Sequence, residues 1–146
     1  MGKKRIVKTE GTEVKKTEDG AVAKAAKNVK KRHEAGILFV QSTYNNTIVT
    51  LADIKGNVLA QSSSGAMGFK GAKKGTPFAA AKVGEVLGTK AAEWGMKEIS
   101  VVINGVGSGR ESAVRSFVTK GINITAIKDV TPVPHNGPKP PKPRRV

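Results

Sequence analysis

The sequence predicts an α/β fold in which two main helices pack on a mixed five-stranded sheet. Five strand-length runs of β-branched and apolar residues alternate with two segments of helical periodicity, in the order strand, strand, strand, helix, strand, helix, strand. The first three strands are joined by short turns and predict an antiparallel meander. The last three elements form a β-α-β unit, which implies a right-handed parallel crossover. With 146 residues, the chain has the length of one domain.

The predicted strands are short and bounded by turn-forming residues. They cover residues 37–40, 47–51, 58–63, 98–103 and 122–127. Asn45-Asn46 separates the first two strands and is typical of a tight hairpin, because asparagine tolerates positive φ.

The first helix is predicted over residues 77–94. Thr76, followed by a proline, is typical of an N-cap, and Gly95 is typical of a C-cap. Gly84 and Gly88 lack side chains and should let this helix lie close to the sheet.

The composition indicates a partner that is a polyanion. The formal net charge is +15 and the isoelectric point is about 10.3, so nucleic acid is the natural partner. An anionic membrane is the alternative, but no surface helix combines a strong apolar face with its basic face. No apolar run approaches the roughly 20 residues that cross a bilayer, and no apolar stretch follows the basic start as in a signal peptide. The absence of cysteine excludes disulfides and thiolate metal sites.

Charge and proline content divide the chain into three parts. Residues 1–35 contain eleven Lys or Arg and five acids, and form a predicted disordered basic extension. Residues 36–130 form the predicted globular RNA-binding domain. Residues 131–146 form a proline-rich basic tail without any acid, which is expected to be extended.

A glycine-rich loop at residues 64–77 is the main candidate binding element. It contains four glycines, three lysines, Phe69 and no acid, and it leads into the positive end of the first helix. Glycine lets another backbone approach closely, and Phe69 offers a flat face for a base. These features favour a phosphate or nucleic-acid contact. The alternative is a flexible connector with solvated lysines.

A second glycine-rich turn at residues 104–111 precedes the second helix. The spacing of Ser108 and Glu111 predicts a capping box, and Gly121 should end the helix. The third glycine of a dinucleotide fingerprint is absent, because that position is Arg110. A glycine turn, a helix amino end and Arg110 together predict a general anion site.

Catalysis has little support in the sequence. The first predicted strand has no carboxylate, and Asp53 and Asp129 are interpreted as turn or strand-end residues. His33 and His135 flank the predicted domain and do not suggest a catalytic or metal-binding pair. We therefore expect no enzyme activity, no metal and no cofactor. A metal-dependent nuclease remains the main alternative, and a general nucleic-acid chaperone is the third.

Five motifs in order resemble one known family. They are Tyr44-Asn45-Asn46-Thr47-Ile48-Val49-Thr50, Gly68-Phe69-Lys70-Gly71, Lys74-Gly75-Thr76-Pro77-Phe78-Ala79-Ala80, Gly107-Ser108-Gly109-Arg110-Glu111-Ser112 and Asp129-Val130-Thr131-Pro132-Val133-Pro134-His135-Asn136-Gly137. From about Gly36 to Val146 the chain resembles small-subunit ribosomal protein eleven in its bacterial form.

The resemblance implies a ribonuclease-H-like sheet without catalytic carboxylates, in a structural constituent of the cytoplasmic ribosome. It implies binding to 16S rRNA on the platform of the small subunit, near the messenger exit where the mRNA forms the Shine–Dalgarno helix. The implied neighbours are small-subunit proteins six, seven, eighteen and twenty-one. The implied RNA-binding residues are Asn45, Asn46, Phe69, Lys70, Lys73, Lys74, Arg110, Lys139, Lys142, Arg144 and Arg145.

Overall fold

A computed structural model describes residues 33–139 and 141–142 and confirms the predicted order of elements. The predicted extension before residue 33 lies outside the described residues. The elements are β1 (Ala35–Ser42), β2 (Thr47–Asp53), β3 (Val58–Ser63), a 3-10 helix (Gly71–Gly75), α1 (Pro77–Glu93), β4 (Glu98–Asn104), α2 (Gly109–Val118) and β5 (Asn123–Asp129).

The five strands form one mixed sheet in the order β3-β2-β1-β4-β5. The pairs β1–β2 and β2–β3 are antiparallel, as the meander predicts, whereas β4 is parallel to both β1 and β5. At the centre, Leu38 lies opposite Leu51 on one side and Val101 on the other. The order is consistent with the ribonuclease-H-like arrangement that the resemblance implies.

Both helices cover the same face of this sheet. Leu38 and Val40 of β1 are buried in one cluster with Leu87 of α1 and Phe117 of α2. Phe39, between the two β1 residues, points to the other face and is 40% exposed. Alternation along a strand sends successive side chains to opposite faces, so the burial pattern shows a two-layer fold with one open sheet face.

Gly84 and Gly88 of α1 face α2 and not the sheet, which corrects the sequence prediction. A Cβ on Gly84 would collide with the carbonyl oxygen of Ala113 in α2. A Cβ on Gly88 would lie 3.1 Å from the carbonyl oxygen of Phe117 and 2.8 Å from Cγ of Lys120. The absence of these side chains lets the two backbones approach closely.

The predicted ends of α1 are confirmed. The Ala79 amide donates to Oγ1 of Thr76 over 3.3 Å, and a proline occupies the first turn. At the other end, Gly95 has φ +76°, a left-handed conformation that favours glycine just beyond a helix. Trp94 packs against the edge of the core.

A charged cluster on the surface links α1 to the end of α2. Glu85 accepts hydrogen bonds from Nζ of Lys120 over 3.0 Å and from Nζ of Lys82 over 3.1 Å. The hydrogen bond from Lys120, then that from Lys82 and the charges of both lysines, hold the pKa of Glu85 below its ordinary value of 4.5.

The substitution Gly84→Ala should destabilise the protein by about 1–3 kcal/mol, because the new methyl group forces α1 away from α2. Alanine has the higher helix propensity by about 1 kcal/mol, so propensity alone predicts the opposite sign. Thermal unfolding measures the difference. The control is Gly88→Ala, where the nearest atom belongs to the flexible Lys120 side chain, and its loss should be smaller. A stabilised Gly84→Ala variant would contradict the helix-contact interpretation.

The substitution Glu85→Gln should lower the midpoint of thermal unfolding near neutral pH but have little effect in acid. Because the folded-state pKa is depressed, the stabilisation is complete above 4.5 and is lost as the pH falls through the folded-state pKa. The effect is small because the cluster is exposed to solvent. In a chain that also carries Lys82→Met and Lys120→Met, the same substitution should lose most of its pH dependence. A difference that persists unchanged into acid would refute the ion-pair origin.

Candidate nucleic-acid interface

Strands β1, β3, β4 and β5 run in the same direction and β2 runs against them. The carboxyl ends of these four parallel strands meet at one end of the sheet. Gln41 near the end of β1 lies beside Asn104 at the end of β4, and Asp129 at the end of β5 lies beside Ile103. Ser63 at the end of β3 pairs with Ile48 of β2. Both α-helices begin at this end, because each follows one of these strands. We call residues 43–46, 64–78 and 105–110 the carboxyl-end surface.

This position is favourable for binding an anion. In open α/β sheets, ligands bind outside the carboxyl ends of the strands. The amino ends of helices carry unsatisfied N–H groups and about half a unit of positive charge each. The fold therefore brings two positive helix ends and two glycine-rich turns to one surface.

A pair of buried hydroxyl groups lies beneath this surface. Oγ of Ser42 and Oγ1 of Thr47 are 3.2 Å apart and hydrogen-bonded, at the base of the β1–β2 hairpin. The Gly107 amide donates to the Ser42 carbonyl over 2.9 Å, and the Ser64 amide donates to the Thr47 carbonyl over 3.0 Å. Both glycine-rich turns are thus bonded to the same two residues.

The predicted hairpin at residues 43–46 is confirmed, but its predicted backbone conformation is wrong. Among the described residues other than glycine, positive φ occurs at Asn136, and not at Asn45 or Asn46. Thr43 closes the turn instead, since its Oγ1 accepts from the Asn46 amide over 3.1 Å. Asn45 is exposed. Oδ1 of Asn46 is enclosed, and no described residue donates to it.

The glycine-rich loop contains an ordered turn that the sequence prediction missed. Residues Gly71–Gly75 form a 3-10 helix. A Cβ on Gly75 would collide with the carbonyl oxygen of Tyr44 in the hairpin. Oγ of Ser108 donates to the Gly75 carbonyl over 3.1 Å. These contacts join the loop, the hairpin and the start of α2 into one surface.

The same contact shows that the predicted capping box is wrong. Ser108 is the N-cap of α2, but its φ of −66° and ψ of −14° are helical, and its side chain makes no cap hydrogen bond. The hydroxyl group instead bonds the loop that precedes α1. Ser108 therefore stabilises the contact between two turns.

The predicted lysines of the loop extend from this surface into solvent. Lys70 and Lys73 are exposed and Lys74 is half-buried. None of the three forms an ion pair with another residue in the described part of the chain, and residues 64–77 contain no acid. Their charge is therefore available to a partner.

Arg110 lies at the same surface, beside an anchored carboxylate. Its Nη1 lies 3.7 Å from Oδ2 of Asp129, and its side chain is 40% exposed. Oδ1 of Asp129 accepts from Oγ1 of Thr131 over 2.6 Å and from the Thr131 amide over 2.9 Å. In turn, the Gly105 amide donates to Oγ1 of Thr131 over 3.0 Å. The hydrogen bonds from Thr131 are the main cause that lowers the pKa of Asp129, and the charge of Arg110 contributes less.

Two aromatic residues at this surface are absent from the predicted set of RNA-binding residues. Tyr44 is 78% exposed and Phe78 is 65% exposed. The predicted Phe69 is half-buried and packs at right angles to Phe78, with ring centroids 6.0 Å apart. The exposure of Phe78 could have been predicted from helical periodicity. Because Ala79 and Ala80 face the core, Phe78 must face outward.

The basic tail leaves the sheet from the same end. The Val130 amide donates to the Ile103 carbonyl over 2.8 Å, immediately after β5. Lys139 and Lys142 are exposed. The predicted sites Arg144 and Arg145 lie outside the described residues.

The two aspartates of the nuclease alternative lie at opposite ends of the sheet. Asp53 pairs with Gly36 at the start of β1, and its Oδ1 is 3.6 Å from Nδ1 of His33. Asp129 lies at the carboxyl end, so the two carboxylates cannot share a cation. Within residues 33–139 and 141–142, no three acidic or histidine side chains gather into a metal-binding group. No helix in this part of the chain has the length and apolar character to span a membrane.

A family model described as Ribosomal protein S11 matches residues 36–145. The match begins within β1, spans the rest of the sheet and both α-helices, and includes the entire carboxyl-end surface. This family consists of structural, non-enzymatic, RNA-binding proteins of the small ribosomal subunit that serve translation. The match covers most of the chain, and this protein therefore belongs to the ribosomal protein S11 family, as a structural constituent of the small ribosomal subunit.

Proposed function

We propose that the carboxyl-end surface and the basic tail bind 16S ribosomal RNA on the platform of the small subunit. Bound there, the protein supports the messenger exit region, where the mRNA forms the Shine–Dalgarno helix. The observation that carries this proposal is the convergence of unpaired lysines, Arg110 and two helix amino ends on one surface.

Neutralisation of phosphates supplies most of the binding free energy. Lys70, Lys73 and Lys74 have no ion pair to break among the described residues. They therefore pair directly with RNA phosphates and release the counterions that were bound to the RNA. Arg110 has a planar guanidinium, which suits two hydrogen bonds to one phosphate. The anchored Asp129 lies 3.7 Å from one nitrogen of this guanidinium and leaves part of it accessible.

The tail and the hairpin extend the contact. Lys139 and Lys142, with Arg144 and Arg145 beyond the described residues, follow the RNA backbone from the end of β5. Asn45 and Asn46 present amide groups, which hydrogen-bond to phosphate, sugar or base edges. Bound to the RNA through these contacts, the protein acts as a scaffold without catalysis, metal or cofactor.

The proposed position defines the neighbours. On the platform of a cytoplasmic ribosome the protein lies near small-subunit proteins six, seven, eighteen and twenty-one and near the mRNA. The basic extension over residues 1–35 adds phosphate contacts to the same RNA.

Replacing Lys70, Lys73 and Lys74 together with alanine should weaken binding and flatten its salt dependence. Each lost phosphate contact reduces the slope of log K against log salt by about 0.7–0.9, so three contacts reduce it by about 2–3. The measurement is equilibrium binding of labelled protein to small-subunit particles from cells depleted of it, over a range of salt concentrations.

The matched control is the triple variant Lys55→Ala, Lys90→Ala and Lys97→Ala. These exposed lysines lie at the opposite end of the sheet, after β2, at the end of α1 and before β4. Both triple variants lose the same three charges, so an effect of net charge alone would be equal in the two. Equal slopes would rule out the carboxyl-end surface as the RNA-binding site.

The substitution Gly75→Ala should reduce affinity for the same particles about tenfold, a loss of about 1.4 kcal/mol. The new methyl group collides with the Tyr44 carbonyl and separates the loop from the hairpin, so the lysines no longer match the RNA backbone. The control is Gly65→Ala in the same loop, whose Cβ would lie 3.7 Å from the nearest side-chain atom, and which should bind as the wild type does. If both variants bind equally well, the loop does not need its contact with the hairpin.

A further inference from the structure

Tyr44 and Phe78 are the two most exposed aromatic side chains in the described part of the chain. Burial of a large apolar side chain stabilises a protein by about 1.5–3 kcal/mol, and neither ring contributes such burial to the core. Both rings lie on the carboxyl-end surface. Their exposure at the proposed RNA-binding site calls for a partner that covers them.

Each ring is attached to a fixed part of the backbone. The Tyr44 carbonyl packs against Gly75, and the hydrogen bond from the Thr43 amide to the Asn46 carbonyl, 2.9 Å long, closes the turn around it. Phe78 is the second residue of α1, directly after the capped start of the helix. Fixed aromatic side chains lose little conformational entropy on binding, since they have only two rotatable side-chain bonds.

Phe69 restricts the orientation of the Phe78 ring. The two ring planes are at 89° with centroids 6.0 Å apart, which is a favourable edge-to-face geometry. Phe69 is the half-buried member of the pair, and Phe78 is the exposed one. Phe69 is thus a positioning residue, and Phe78 presents its ring to solvent.

The charge around the rings identifies the partner as RNA. Tyr44 contacts the end of the 3-10 helix that contains Lys73 and Lys74, and Phe78 follows that helix by three residues. An unpaired nucleotide offers both a phosphate for a lysine and a base for a ring. A protein partner that offered only an apolar patch would leave the three lysines without a counter-charge.

We propose that Tyr44 and Phe78 each stack on an unpaired base of ribosomal RNA, with Phe69 holding the Phe78 ring in place. This inference rests on the proposed function, and it adds base stacking to phosphate neutralisation. Stacking accepts any base, because every base has a π-face. The rings therefore select single-stranded RNA over a continuous duplex, in which bases are already stacked.

The test replaces each ring by leucine and measures binding to small-subunit particles depleted of the protein. Tyr44→Leu and Phe78→Leu should each lower affinity about tenfold, within the range measured for loss of one stacked base. The slope of log K against log salt should stay at the wild-type value, because neither ring is charged. Phe78→Trp, which keeps an aromatic face, should retain most of the affinity.

The control is Phe39→Leu, which removes a partly exposed ring from the open face of the sheet, outside the residues of the carboxyl-end surface. It should leave affinity unchanged. Thermal unfolding of each variant checks that the fold persists. As a second readout, ultraviolet crosslinking of intact subunits followed by mass spectrometry should find nucleotide adducts on Tyr44 or Phe78.

The outcomes separate this inference from the proposed function. If the triple lysine variant flattens the salt slope but the leucine variants bind as tightly as the wild type, the surface binds RNA without stacking on these rings. Wild-type affinity in the leucine variants, or crosslinks on neighbouring proteins alone, would overturn the stacking proposal. An unchanged slope in the triple lysine variant would overturn the proposed function itself.

Discussion

The buried hydrogen bond between Ser42 and Thr47 is the contact on which the carboxyl-end surface depends. Around it, Cβ atoms on Gly105, Gly107 or Gly109 would each collide with the hairpin base, and the one on Gly109 would lie 2.5 Å from Oγ1 of Thr47. The loops are thus fixed by close backbone contacts and by the hydroxyl groups of small side chains such as Ser108. This arrangement leaves the lysines, Arg110 and the two exposed rings available to a partner.

Neutral and charged residues have separate roles at this surface. Glycines and small hydroxyl side chains hold the turns together through contacts that do not depend on salt. The cations lie outside this framework and are weakly paired or unpaired among the described residues. Electrostatic attraction therefore changes with ionic strength while the shape of the surface does not. A scaffold that must fit one RNA structure benefits from this separation.

Local patterns predicted the elements, whereas contacts between distant residues were not predictable from one sequence. Strand runs and the Thr76-Pro77 start of α1 are local signals, and they were confirmed. Ser108 bonds Gly75, 33 positions away, and the contact of Gly84 with α2 needs the helix pairing. At Asn45-Asn46 we expected positive φ, but the turn is closed by a hydrogen bond to the hydroxyl group of Thr43. The loop lysines and Arg110 were predicted from their charge. Tyr44 and Phe78 could be assigned to the site only from the structure, because it shows that their rings point away from the core.

The turn between β2 and β3 lies at the other end of the sheet from this surface. Gly56 in that turn has φ +86° and no atom near its missing Cβ, and the neighbouring Lys55 is exposed. The sequence has no cysteine. A single Lys55→Cys substitution therefore supplies a unique thiol for a fluorophore, at the end of the sheet opposite the carboxyl-end surface. Assembly of the small subunit can then be followed by fluorescence without a label on the carboxyl-end surface.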